Sequence, residues 1–175
     1  MGMNISAEVT IPLRAVSVAD TKKLFHPADA HARRFLQIYG DKEVVSCPVE
    51  YTHDIDVATF SICSTTTEES LQELSAKIHT QGWHFGSIAD WYQYIQKNQT
   101  LTASRTWLLG TIYHDEEYHE WFPIVTPRTK KPSPLSSVAL RNAIANMVMR
   151  LRLAKQLPPG TEILLVKMVK KSPQK

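Results

Sequence analysis

Apolar positions along this 175-residue chain follow two rhythms, and the local rhythm predicts each element. Residues 7–18 alternate apolar and polar well enough for a β-strand, with Pro12 marking an edge or a bulge. Ala28, Ala32, Phe35 and Tyr39 then recur at helical spacing between Pro27 and Gly40, the usual punctuation of a helix. Residues 43–51 and 55–63 read as the two strands of a hairpin turning at Thr52-His53-Asp54. Pro48 removes a ladder donor and places the first of them at an edge. Thr66 and Glu69, three apart, predict a capping box ahead of a helix with the stripe Leu71, Leu74 and Ile78, ended by Gly82. A further helix follows Ser87, with Ile88, Trp91, Tyr92 and Ile95 on one face.

Trp107–Tyr113 and Trp121–Val125 read as a second hairpin, turning through Asp115 to Tyr118. Residues 126–136 form an exposed, Pro-rich basic connector. The longest predicted helix runs from Ser136 or Ser137 to about Leu157, with Leu140, Ile144, Met147, Val148, Leu151 and Ala154 on one arc. Pro158-Pro159-Gly160 ends it, residues 161–169 make a last strand, and residues 170–175 form a frayed basic tail. The order β-α-β-β-α-α-β-β-α-β predicts a single α+β domain over residues 1–175: one mainly antiparallel sheet with helices packed on it. Its opening β-α-β-β-α resembles the split βαβ arrangement of ferredoxin-like folds.

Composition narrows the class. With 43% hydrophobic residues and six scattered glycines, the chain is neither disordered nor collagen-like, and two cysteines make no disulfide scaffold. Ile163-Leu164-Leu165-Val166 is far shorter than the roughly 20 apolar residues of a membrane helix. Glu8 and Arg14 stand where a secretory signal would be apolar, and Cys47 and Cys63 lack metal-type spacing. The expectation is a cytoplasmic protein with reduced, core-filling thiols, no disulfide and no membrane partner.

Charge divides the chain. Residues 1–127 hold nine Lys and Arg against sixteen Asp and Glu; residues 128–175 hold eleven against the single acid Glu162. Balances of −7 and +10 make up the net +3, and a basic third of this kind attracts polyanions. Its candidate contacts are Arg128, Lys130 and Lys131 on the connector, Arg141, Arg150, Arg152 and Lys155 on the long helix, and Lys167, Lys170 and Lys171 at the end. Asn142, Asn146 and Gln156 share the outer side of that helix, and Asn, Gln and Arg contact phosphates and base edges. Trp83, Phe85, Trp91, Tyr92 and Tyr94 are candidate stacking surfaces, although the helical stripe assigns Trp91 and Tyr92 to the core.

Other chemistry is sparser. A turn centred on Glu116-Glu117 would set His114 across from His119, two ligands for a divalent metal, against the plainer reading of a charged hairpin tip. Asp54 and Asp56 share a strand face, as Mg²⁺ ligands do, but no Lys follows to complete a nuclease core. His26, His31, His53, His79 and His84 are further acid–base candidates with no fixed mutual distances. No phosphate-cradling glycine loop and no nucleophile elbow occurs. Three readings follow. The first is a non-catalytic nucleic-acid-binding or nucleoprotein-accessory protein without a cofactor. The second is a metal-dependent or His-based hydrolase centred on His114 and His119. The third is a protein-interaction module whose acidic N-terminal and basic C-terminal surfaces dock onto other chains, an acidic partner among them, or onto its own copies head to tail.

Overall fold

A computed structural model describes residues 3–6, 8–12, 26–27, 30–39, 43–46, 57–97, 105–127, 147–153 and 156–169. They form a mixed α+β fold: one open sheet and three helices. The strands are β1 Met3–Ile5, β2 Val9–Pro12, β3 His26–Pro27, β4 Glu43–Ser46, β5 Val57–Thr65, β6 His84–Phe85, β7 Thr106–Trp107, β8 Thr111–His114, β9 Glu120–Pro127, β10 Met147–Leu153 and β11 Glu162–Val169. The helices are α1 Ala30–Tyr39, α2 Leu71–Thr80 and α3 Ile88–Lys97. The main path through the sheet is β1-β5-β11-β7-β9-β10-β3. Pairing is antiparallel except for β3 with β10 and β7 with β11.

Alternation along the central strands sends side chains into two cores. Cys63, Trp107, Phe122, Ile124, Ile163 and Leu165 pack with Leu74 and Ile78 of α2, Trp83 and Leu157. Ala58, Phe60, Val125, Met149, Leu164 and Val166 pack on the opposite face with Ile88, Trp91 and Ile95 of α3 and Leu36 of α1. α3 starts where the Asp90 carboxylate accepts from the Ser87 N–H at 2.8 Å and the Ser87 hydroxyl accepts from the Asp90 N–H at 3.2 Å. This reciprocal pair is a capping box. α2 starts one turn later than Thr66 predicts: Ser70 caps it, accepting from the Glu73 N–H at 3.2 Å. Glu69 is instead buried, where Lys77 donates to both its carboxylate oxygens at 2.9 and 2.8 Å.

Several sequence expectations are corrected. The long helix to Leu157 is replaced over Met147–Leu153 by β10, which pairs with β9 at seven consecutive positions; residues 136–146 lie outside the described residues. The run MVMRLRL satisfies both periods, and Met149 buried, Arg150 exposed, Leu151 half-buried and Arg152 exposed is the period of a strand. Of the strand expected over 7–18, the described residues make only β2, Val9–Pro12, with 7 and 13–18 outside them; a separate short strand, β1, precedes it, and the two flank opposite halves of β5. β4 does not form a hairpin with β5: it pairs with β8, while β5 lies between β1/β2 and β11. The split βαβ arrangement is therefore not made by these strands. Cys47, His53, Asp54 and Asp56 lie outside the described residues. The strand from Trp107 to Tyr113 is broken at Leu108–Gly110, where the Gly110 N–H donates to the Gly86 carbonyl at 2.9 Å. A Cβ on Gly110 would overlap the Phe85 carbonyl oxygen, so this close approach requires glycine. No helix among the described residues is long and apolar enough to cross a membrane.

Candidate nucleic-acid interface

The β9–β10 ladder fixes the basic side chains. Arg150 sits opposite Ile124 and Arg152 opposite Phe122, two residues apart on one strand and hence on one face of the sheet. Both arginines are exposed. The Arg152 guanidinium stacks over the Trp107 ring, 5.5 Å from its centroid, within cation–π range. Beside it opens a groove of about 640 Å³ lined by Trp107, Trp121, Leu151, Arg152, Leu153 and Gln156. Leu151 and Leu153 alternate with Arg152, and Trp121 pairs with Leu153 in the ladder. The lining thus draws on both faces of the sheet, which places the groove at the end of β10 rather than on one flat face.

Trp121 is held on its other sides. Its ring lies 5.4 Å from Phe35 and 5.9 Å from His31, both on α1. Its indole N–H donates to Asp115 Oδ2 at 3.0 Å. Asp115 Oδ1 accepts from the backbone N–H groups of Glu117 and His119 at 3.0 and 2.9 Å. Donors around a carboxylate favour its charged form, and the Trp121 N–H foremost holds the Asp115 carboxyl below its usual 3.8. On the same side, burial and then the neighbouring Glu116 carboxylate raise the Tyr39 hydroxyl above its usual value of 10.0.

The hairpin tip differs from the expected geometry by one residue. The Asp115 N–H donates to the His119 carbonyl, and the Tyr118 N–H to the Asp115 carbonyl. Glu116, Glu117 and Tyr118 therefore make a three-residue loop, closed by Tyr118 in the left-handed region at φ 62°. His114 consequently stands opposite Glu120, with Nε2 3.7 Å from a carboxylate oxygen, and not opposite His119. His119 Nδ1 lies 3.2 Å from Asp115 Oδ2 and 3.4 Å from Glu117 Oε2. Each imidazole thus faces its own carboxylates, and no group of three or more His, Cys, Asp or Glu among the described residues could hold a metal ion.

Of the other basic candidates, Lys167 lies on β11 with its ammonium 4.5 Å from the Trp83 ring centroid. Arg128, Lys130, Lys131, Arg141, Lys155, Lys170 and Lys171 lie outside the described residues, as does most of the connector over 126–136. Arg150 and Arg152, expected on the long helix with Arg141 and Lys155, belong instead to a strand. Trp83 and Trp91 are core residues, and Phe85, Tyr92 and Tyr94 pack against the cores half-buried. The rings at the groove are Trp107 and Trp121, which sequence reading placed only as strand residues. No local signal in the sequence marks them, because Trp107 and Trp121 reach the groove only through the pairing of β7 and β10 with β9. His79 and His84 do come together, with ring centroids 5.5 Å apart. Comparison with known proteins finds no matching family model, no matching curated protein and no matching solved structure.

Proposed function

We propose that this protein binds single-stranded nucleic acid without chemically altering it, at the end of β10. The observation that carries this reading is the groove in which Arg152, stacked on Trp107, stands with Trp121 and Gln156. Unpaired bases offer flat π-faces to indole rings, phosphates offer negative charge to guanidinium groups, and an amide such as that of Gln156 reads base edges. A duplex hides its base faces, so the half-buried Trp121 ring favours single strands, while Trp107, buried beneath Arg152, seats the guanidinium. The basic connector and tail extend the attraction along the backbone, and the two cysteines and the polyanionic ligand fit a cytoplasmic setting.

Fluorescence anisotropy of labelled single- and double-stranded DNA and RNA at low and near-physiological salt tests the reading. Single strands bind more tightly than duplex. Trp121→Ala, with native circular dichroism, weakens binding by the roughly 1–3 kcal/mol of one stacked base, about 5- to 150-fold. Equal binding of duplex and single strand, or undiminished binding by the variant, refutes the site.

A further inference from the structure

We propose that the acidic hairpin tip of one copy docks into the Trp–Arg groove of a second copy, and reciprocally, giving a two-fold dimer that covers the proposed nucleic-acid site. The docking rests on the groove and the tip; only its competition with nucleic acid rests on the function proposed above.

The tip is built as a presented side chain. Tyr118 is 81% exposed and is held at φ 62°, in the region that disfavours residues with a side chain. Strained, exposed aromatic residues persist where the surrounding structure enforces them. Here the enforcing group is Asp115, whose carboxylate takes the Glu117 and His119 N–H groups and the Trp121 indole N–H. The loop is therefore already ordered, and docking it sacrifices little conformational freedom. Exposed Glu116, Glu117 and Glu120 surround Tyr118.

The groove offers the complementary chemistry. Its volume of about 640 Å³ admits a tyrosine ring, the half-buried Trp121 gives that ring an aromatic wall and Leu151 and Leu153 apolar contact, and Gln156 offers its amide to the phenol. Arg152 in the groove and Arg150 beside it on β10 meet the flanking carboxylates. Carboxylates on the tip would then stand where phosphates stand in the nucleic-acid complex. Closure follows from position: the 3.0 Å bond from Trp121 to Asp115 sets tip and groove side by side on one molecule. A single two-fold axis can thus bring each tip to the other groove in a closed pair rather than an open chain.

Sedimentation velocity at low salt, from low to high micromolar protein, tests the pair. The sedimentation coefficient of the wild type rises with concentration to that of a dimer and falls back on adding salt. Tyr118→Gly relaxes the backbone at φ 62° and keeps the fold, yet stays monomeric throughout. Glu116→Lys with Glu117→Lys stays monomeric alone, as does Arg150→Glu with Arg152→Glu. Mixed together, these two variants regain both charge-matched contacts and form a heterodimer. A wild type that is monomeric at every concentration, a Tyr118→Gly variant that dimerises like wild type, or a mixture that does not associate overturns the proposal. Adding an oligothymidylate separates this idea from the function above. Oligonucleotide binding by a protein that never dimerises removes the docking and leaves the function. A dimer with the expected variants but no oligonucleotide binding leaves the docking and removes the function.

Discussion

Replacing Arg150 and Arg152 together by glutamine removes two positive charges from one face of β10 without removing backbone pairing, since the ladder to β9 is made by main-chain groups. Both side chains are exposed, so no buried partner is orphaned. Alternate residues of a strand stand about 6.6–6.8 Å apart, a spacing at which each guanidinium can meet a different phosphate of an extended single strand. Each neutralised phosphate contributes about 0.7 to the slope of log affinity against log salt for single strands, so the variant's slope is shallower by about 1.4. Between 50 and 200 mM salt the wild type therefore loses about seven-fold more affinity than the variant. The Arg152–Trp107 contact is internal to the protein, so its loss costs fold stability rather than affinity, and the affinity loss is independent of base sequence because phosphates carry no sequence information. Anisotropy titrations of oligothymidylate and oligoadenylate across that salt range measure both quantities, at protein concentrations below those that drive self-association. An unchanged slope, or a loss confined to one base composition, refutes phosphate neutralisation by β10.

Two further outcomes follow from groups near the site and in the core. Burial first, and the nearby Glu69 carboxylate second, push the Cys63 thiol up to about 12. The thiolate fraction at pH 8 is then about 10⁻⁴, so Cys63 resists thiol reagents in the folded protein and reacts on denaturation; mass spectrometry of the labelled peptide checks this. The Asp115 carboxyl is held below its usual 3.8, so the stabilisation it gives the tip is complete above that value and lost as pH falls through the lowered one. Trp121 emission therefore stays native down to about pH 4 and shifts below it. Asp115→Asn should abolish the shift, and an identical acid transition in that variant would refute the assignment.

The sequence makes α2 and α3 legible because their stripes, Leu71-Leu74-Ile78 and Ile88-Trp91-Ile95, have no competing period. β11 is legible too, as an apolar run ended by a Pro-Pro-Gly break before it and a basic tail after it. The run MVMRLRL is not: its apolar positions fit an arc of helix as well as one strand face, and only the long-range pairing with β9 decides between them. The partner of β4 is similarly unreadable, since proximity in sequence favours β5 and the actual partner β8 lies more than sixty residues away. Because the sheet path is set by such distant pairings, a groove at the end of β10 could not be assembled from local pattern, although the arginines that flank it were visible as charge.

The hairpin tip shows how small the deciding term can be. With Glu116-Glu117 as a two-residue loop, His114 would oppose His119 and the tip would resemble half a metal site. Three hydrogen bonds to the Asp115 carboxylate instead favour a loop one residue longer, at the expense of a left-handed Tyr118. Because side chains alternate with period two, that single residue re-pairs every position of the hairpin: His114 with Glu120, His119 with Asp115, Tyr113 with Trp121. The same shift hands the Trp121 indole to Asp115 and turns Tyr118 outward at 81% exposure. One aspartate at the start of a turn thus dissolves the apparent histidine pair, fixes a wall of the groove and presents the ring that we propose fills the groove of a second copy.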